Sequence, residues 1–96
     1  MLAMEWRKTV FDNGKLHFSN KEVSFVMVKV PNSNLYVGET PVTQQLWENV
    51  MGENPSYFKH EPYAPVGNIS YNDCCLFIER LNSLTNEMFR LPTVDE

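Results

Sequence analysis

The hydrophobic period of this chain changes at Thr43, and that change limits what the chain can fold into. Ahead of Thr43 the apolar residues fall in short β-branched and aromatic runs: Thr9-Val10-Phe11, Leu16-His17-Phe18, residues 23–30 and Leu35-Tyr36-Val37. Runs of that length and composition predict strands. Behind it, Leu46, Trp47, Val50 and Met51 repeat at helical spacing. Thr43 is an N-cap type and Gly52 stands where a left-handed residue stops a helix, so a helix is predicted over residues 43–51.

The punctuation between these runs assigns the remaining elements. Asp12-Asn13-Gly14-Lys15 separates the first two strands, and Asn-Gly favours a hairpin because both residues tolerate positive φ, so a hairpin is predicted over residues 9–18. Pro31-Asn32-Ser33-Asn34 is a turn cluster, and residues 53–67, with Pro55, Pro62 and Pro65, read as an irregular loop rich in aromatics. Ser70 followed three residues later by Asp73 is a near variant of the capping box, with Cys74, Ile78 and Leu81 as the apolar positions behind it. This predicts a second helix over residues 71–84, broken by Thr85-Asn86. Met88-Phe89-Arg90-Leu91 then reads as a short strand ended by Pro92. Thr93-Val94-Asp95-Glu96 is a further capping box announcing a third helix, and the chain is expected to be interrupted one turn into it.

Ninety-six residues, 43% of them hydrophobic and 21% charged, suit one globular domain with a small core and no internal linker. A net charge of -4, with the lysines and arginines scattered singly after Arg7-Lys8, argues against nucleic acid as a partner, because neutralising phosphates needs a concentrated basic face. No apolar run approaches the roughly 18 residues that span a bilayer, and Met1 to Lys8 lacks the apolar core of a signal peptide. No membrane and a cytoplasmic location are the default expectations. The adjacent Cys74 and Cys75 are expected to be reduced, since a disulfide between neighbours is strained. With His17 and His60 far apart in sequence, no metal-ligand spacing occurs and no cofactor is expected.

Several blocks together resemble one family. Phe25-Val26-Met27-Val28, Thr40-Pro41-Val42-Thr43-Gln44-Gln45-Leu46-Trp47 and Val50-Met51-Gly52-Glu53-Asn54-Pro55-Ser56-Tyr57-Phe58 follow the order seen in the formylglycine-generating-enzyme (sulfatase-modifying factor) family. Pro65-Val66-Gly67-Asn68-Ile69-Ser70-Tyr71-Asn72-Asp73 resembles its "PV-x-x-VSW-x-D" segment, and Phe89-Arg90-Leu91-Pro92-Thr93 its "RLPTEAEWE" segment. The resemblance covers residues 25–96. It implies an α+β, C-type-lectin-like fold, present in part, with two helices on a small twisted antiparallel sheet. Two departures stand out: the family's glycine-rich stretch between the "MV" strand and the "VT" helix is compressed into residues 31–37, and Val94-Asp95-Glu96 differs from the usual Glu-Ala-Glu.

In the enzymes that this resembles, a copper-binding cysteine pair in the C-terminal half oxidises a substrate cysteine to formylglycine with oxygen. That pair does not map onto Cys74 or Cys75, so a non-catalytic module, structural or partner-binding, is the leading expectation. The alternative is a fragment of a formylglycine-generating oxidase, completed by a missing C-terminal part. No catalytic residue is assigned. Asp73 as an acid or base competes with its role as a helix-start carboxylate, which is the commoner case, and His60 lacks a cysteine or serine partner. Asn68-Ile69-Ser70 is a formal glycosylation sequon without the context of a leader. Tyr57, Phe58 and Tyr63 are the candidate recognition patch, set against the commoner role of covering the core beneath a long loop. An unfinished sheet with open edges also suggests a homodimer.

Overall fold

The hairpin predicted by the Asn-Gly turn opens the fold, with strand β1 at Arg7–Val10 and β2 at Lys15–Ser19. The computed structural model describes residues 5–59 and 61–92; the expected helix start at Thr93 and the candidate His60 lie outside them. Only Gly14 takes a left-handed conformation in this turn, at φ 81°. Asn13 contributes differently, since its side-chain oxygen accepts from the Lys15 N–H at 3.2 Å. Phe11, expected in the strand, lies just past it and closes the loop through its N–H to the Lys15 carbonyl at 2.9 Å. That three-residue loop ending in a left-handed glycine is the next commonest hairpin connection after the two-residue turn.

Strand β3 follows at Ser24–Lys29 and β4 at Tyr36–Gly38, and the sheet is an antiparallel meander in the order β1-β2-β3-β4. Val23, expected at the head of β3, is instead buried in the turn before it. Asn20 builds that turn, because its side-chain oxygen accepts from the N–H groups of Glu22 and Val23 at 2.8 and 2.9 Å. The register sets Phe18 opposite Phe25 and Leu16 opposite Met27 on one face. Phe18 and Phe25 stack at 5.0 Å between ring centroids.

Both helices begin and end where their capping chemistry predicts. Helix α1 spans Gln44–Met51; the Thr43 side chain accepts from the Leu46 N–H, and Gly52 at φ 84° closes the helix onto the Glu48 carbonyl. Helix α2 spans Tyr71–Thr85. Its start is a complete capping box, in which Asp73 N–H donates to Ser70 Oγ at 3.1 Å and Ser70 N–H to Asp73 Oδ2 at 2.9 Å. Asn86, left-handed at φ 59°, ends it. The helices meet through Trp47 and Phe77, both buried and stacked 4.8 Å apart with planes 5° from parallel. Leu46, Val50, Leu81 and Val23 complete this core, with Phe25 and Phe89 packed against it from the sheet side. The chain is thus α+β, two helices with a four-stranded antiparallel sheet.

The strand expected at residues 88–91 does not form. The Asn82 side chain replaces a neighbouring strand there: it accepts from the Phe89 N–H at 2.6 Å and donates to the Phe89 carbonyl at 2.9 Å. Both backbone groups of this one residue are thus satisfied by a side chain, as a ladder would satisfy them. Met88 is left 93% exposed, whereas Phe89 turns inward edge-on to Phe18 and Phe25.

Candidate functional site

The loop between the helices buries Ser56 and leaves its aromatic residues exposed. Gln44 and Ser56 are buried. Gln44 accepts from the Asn54 side chain at 2.9 Å, and Ser56 Oγ accepts from the Gly67 N–H at 3.0 Å. The first N–H groups of α1 are taken by the same loop, Gln44 to the Ala64 carbonyl at 2.9 Å and Gln45 to the Pro62 carbonyl at 3.0 Å. Val66 N–H to the Val42 carbonyl and the bridge between Thr43 and Pro65 pin the loop's far side. Asn68, left-handed at φ 56°, closes the segment on itself just ahead of α2 by donating its side-chain N–H to the Pro55 carbonyl at 3.1 Å. The loop is irregular, yet braced along its length.

Tyr57, Phe58 and Tyr63 project from this brace 81%, 79% and 79% exposed. The core-cover role for these rings is therefore incorrect. Asn54 and Ser56 are the loop residues that turn toward the fold, through their bonds with Gln44 and the Gly67 N–H. Burying an aromatic side chain is worth about 1.5–3 kcal/mol, so leaving three of them in water forgoes a large part of what this small core could gain.

A second feature was not foreseen from the sequence. An open, mainly apolar cleft of about 540 Å³ lies between the sheet and the helices, walled by Phe25, Met27, Val42, Leu46, Phe77 and Phe89, with Leu91 and Pro92 also lining it. Phe77 and Leu81, and not Cys74 and Ile78, are the buried residues of α2, and Phe77, Ile78 and Leu81 all line the cleft. The helices stack through Trp47 and Phe77, with Val23 from the turn before β3 and Phe25 from β3 packed in the same cluster.

The remaining candidates have local roles. Asp73 closes the capping box and is committed to it. Cys74 is half-buried and Cys75 exposed, and both are free. Burial lifts the Cys74 thiol above its ordinary range, and the Asp73 carboxylate and Cys75 add to the rise. The Tyr71 phenol is raised too, first by its hydrogen bond with Cys75, then by the charge of that neighbour and by slight desolvation. Because the thiolate is the reacting form, iodoacetamide at mildly alkaline pH is expected to alkylate Cys75 before Cys74. Fragment-ion mass spectrometry of the peptide carrying both assigns the order, and faster loss of Cys74 would contradict it. The side-chain nitrogen that the sequon would modify is the one Asn68 uses to hold Pro55. Among the described residues, no group of three or more His, Cys, Asp or Glu is placed to hold a metal, and no helix is long and apolar enough to cross a membrane.

No family model matches the chain, and no solved structure matches it. A protein from Paenibacillus barcinonensis described as "Chaperone protein LppX" is 38% identical over 63 residues, which are 66% of this chain and 20% of that protein. The chain thus spans about a fifth of the length of the curated relative it matches.

Proposed function

We propose that this chain is a non-catalytic, partner-binding module built on the N-terminal part of a C-type-lectin-like domain of the formylglycine-generating-enzyme type. The observation that carries the reading is the outward display of Tyr57, Phe58 and Tyr63 on a loop held by hydrogen bonds of Asn54 and Ser56. Rigid aromatic rings offer large contact area at small entropic cost, which is why such residues dominate binding hot spots. A braced loop has already lost the freedom that a flexible one would lose on binding. The description of the Paenibacillus barcinonensis protein as a chaperone fits such a surface, whose partners would then be exposed apolar segments of other chains.

The test is the triple variant Tyr57→Ala, Phe58→Ala, Tyr63→Ala. Exposed positions free of structural bonds change stability by only about 0.5 kcal/mol each, so its urea midpoint should stay close to that of the unaltered protein. Its capacity to keep a chemically reduced, aggregating protein in solution, followed by light scattering, should be lost. Equal protection by the two proteins would sink the reading.

The cleft favours a second reading, in which the chain is a fragment of a formylglycine-generating oxidase completed by a further C-terminal part. The cleft is lined by Leu91 and Pro92 as well as by residues of the sheet and both helices, and its apolar walls are a surface that such a part would cover. Thiol-dependent copper(I) binding that arises only when such a C-terminal part is joined to this chain would support that reading against the first.

A further inference from the structure

The sheet has two free edges among the described residues, and they differ in chemistry. Strand β1 carries Arg7 and Lys8, and Lys8 is held 2.9 Å from Glu87. Strand β4 carries Tyr36, Val37 and Gly38, all exposed and none charged. Natural edges are commonly guarded by charge, because an unguarded one templates further pairing. Here β1 is guarded and β4 is not.

The register shows what β4 offers. Val30 N–H bonds the Leu35 carbonyl at 2.9 Å and Glu39 N–H the Val26 carbonyl at 2.8 Å, so Leu35 and Glu39 point their backbone groups toward β3. Antiparallel ladders alternate, so Val37, opposite Val28, does the same. The N–H and C=O groups of Tyr36 and Gly38 therefore point away from β3, out of the sheet's edge. Two outward residues separated by one inward residue form a self-complementary unit. Turned by a two-fold axis through Val37, a second antiparallel β4 sets Tyr36 against the partner's Gly38 and Gly38 against the partner's Tyr36. Each of those pairs can exchange two backbone hydrogen bonds, and no shift of register is needed.

We propose that the β4 edge is a two-fold interface at which a second copy of this chain continues the sheet. Charge selects this edge over the other. Pairing β1 with its own copy would gather Arg7 and Lys8 from both chains on one seam. Along the β4 seam, Leu35 meets the partner's Glu39, whose carboxylate would remain with its own lysine as Glu39 does with Lys15 at 2.7 Å. No like charges stand opposite. A seam of three-residue strands buries little area, which places the dimer in the weak class that dissociates on dilution.

Val37 supplies the test. Gly38 is unsuitable for substitution, since a Cβ there would lie 3.0 Å from the Thr40 carbonyl oxygen. Val37 is half exposed, and on the two-fold axis it faces its own copy in a non-hydrogen-bonded pair, with Cα atoms about 4.5 Å apart. Sedimentation of the unaltered protein is expected to show its mean mass rise from monomer toward dimer with concentration. Val37→Lys should weaken the dimer by roughly tenfold while leaving the circular dichroism unchanged, because it sets two ammonium groups face to face. In a Cys74→Ser, Cys75→Ser background, Val37→Cys should cross-link under a mild oxidant, as the expected separation lies within the disulfide range of about 4.4–6.8 Å. Val10→Cys, on the guarded edge, should not. The proposal is overturned by a monomer at every concentration, by dimerisation indifferent to Val37→Lys, or by equal cross-linking at Val10 and Val37. Growth into filaments would also overturn it, since that outcome requires β1 of one copy on β4 of the next. If Val37→Lys fails to fold, the cysteine pair still decides.

Discussion

Trp47→Ala is expected to lower the free energy of unfolding by about 3–5 kcal/mol, the range for removing a large aromatic from a packed core. Native domains of this size hold on the order of 5–15 kcal/mol in all, so the variant should be largely unfolded in moderate denaturant. The size of the effect follows from what the indole joins. It lies face to face with Phe77, 4.8 Å away, and that stack joins the two helices within the buried cluster. Leu46 and Phe77, on either side of it, are also walls of the apolar cleft, so its loss would collapse the cleft as well as loosen the core. Urea unfolding should be followed by far-ultraviolet circular dichroism, because the fluorescence of the variant comes from Trp6 alone. Trp47→Phe, which keeps a ring on Phe77, should lose clearly less. A loss below about 1 kcal/mol for the alanine variant would mean that the helices are held elsewhere, since such a cost belongs to surface positions.

What could be read from the sequence is what is decided within a few residues. Thr43, Gly52, Ser70 and Asp73 placed the helix ends to within a residue, because caps bond to backbone groups two to four positions away. The first hairpin was legible for the same reason, although Asn13 acts through its side chain and not through a positive φ. Choices among distant partners were not legible. Cys74, Ile78 and Leu81 form a plausible stripe on α2, yet the buried positions are Phe77 and Leu81, and only the arrival of Trp47 from α1 decides between them. The aromatic loop misleads for a related reason. Composition says that Tyr57, Phe58 and Tyr63 want to be covered, and the bonds that turn them outward depend on Gln44 and Ser56 being buried. Gln44 opens α1, where a polar residue is ordinarily read as solvated. The cleft between sheet and helices has no local signature at all.

The segment after α2 is the sharpest case, and it carries the second large effect. Composition made residues 88–91 a strand, and a strand needs a neighbour. The chain supplies one amide instead. Asn82, on the last turns of α2, bonds both backbone groups of Phe89, and that pair of bonds holds the Phe89 ring against Phe18 and Phe25. Asn82→Ala removes the partner and leaves both groups part-buried and unsatisfied, at about 1–3 kcal/mol for each group before relaxation. The expected net loss is about 3 kcal/mol, less than for Trp47→Ala because residues 88–92 can move outward to find water. Asn82→Asp separates the two bonds. Its carboxylate still accepts from the Phe89 N–H but cannot donate to the carbonyl, so its stability should fall between those of the other two proteins. Hydrogen exchange at the Phe89 amide distinguishes this clamp from a general weakening. The amide should be protected in the unaltered protein and in Asn82→Asp and exposed in Asn82→Ala, whereas loss of protection in all three would leave the ring stack alone to hold the segment.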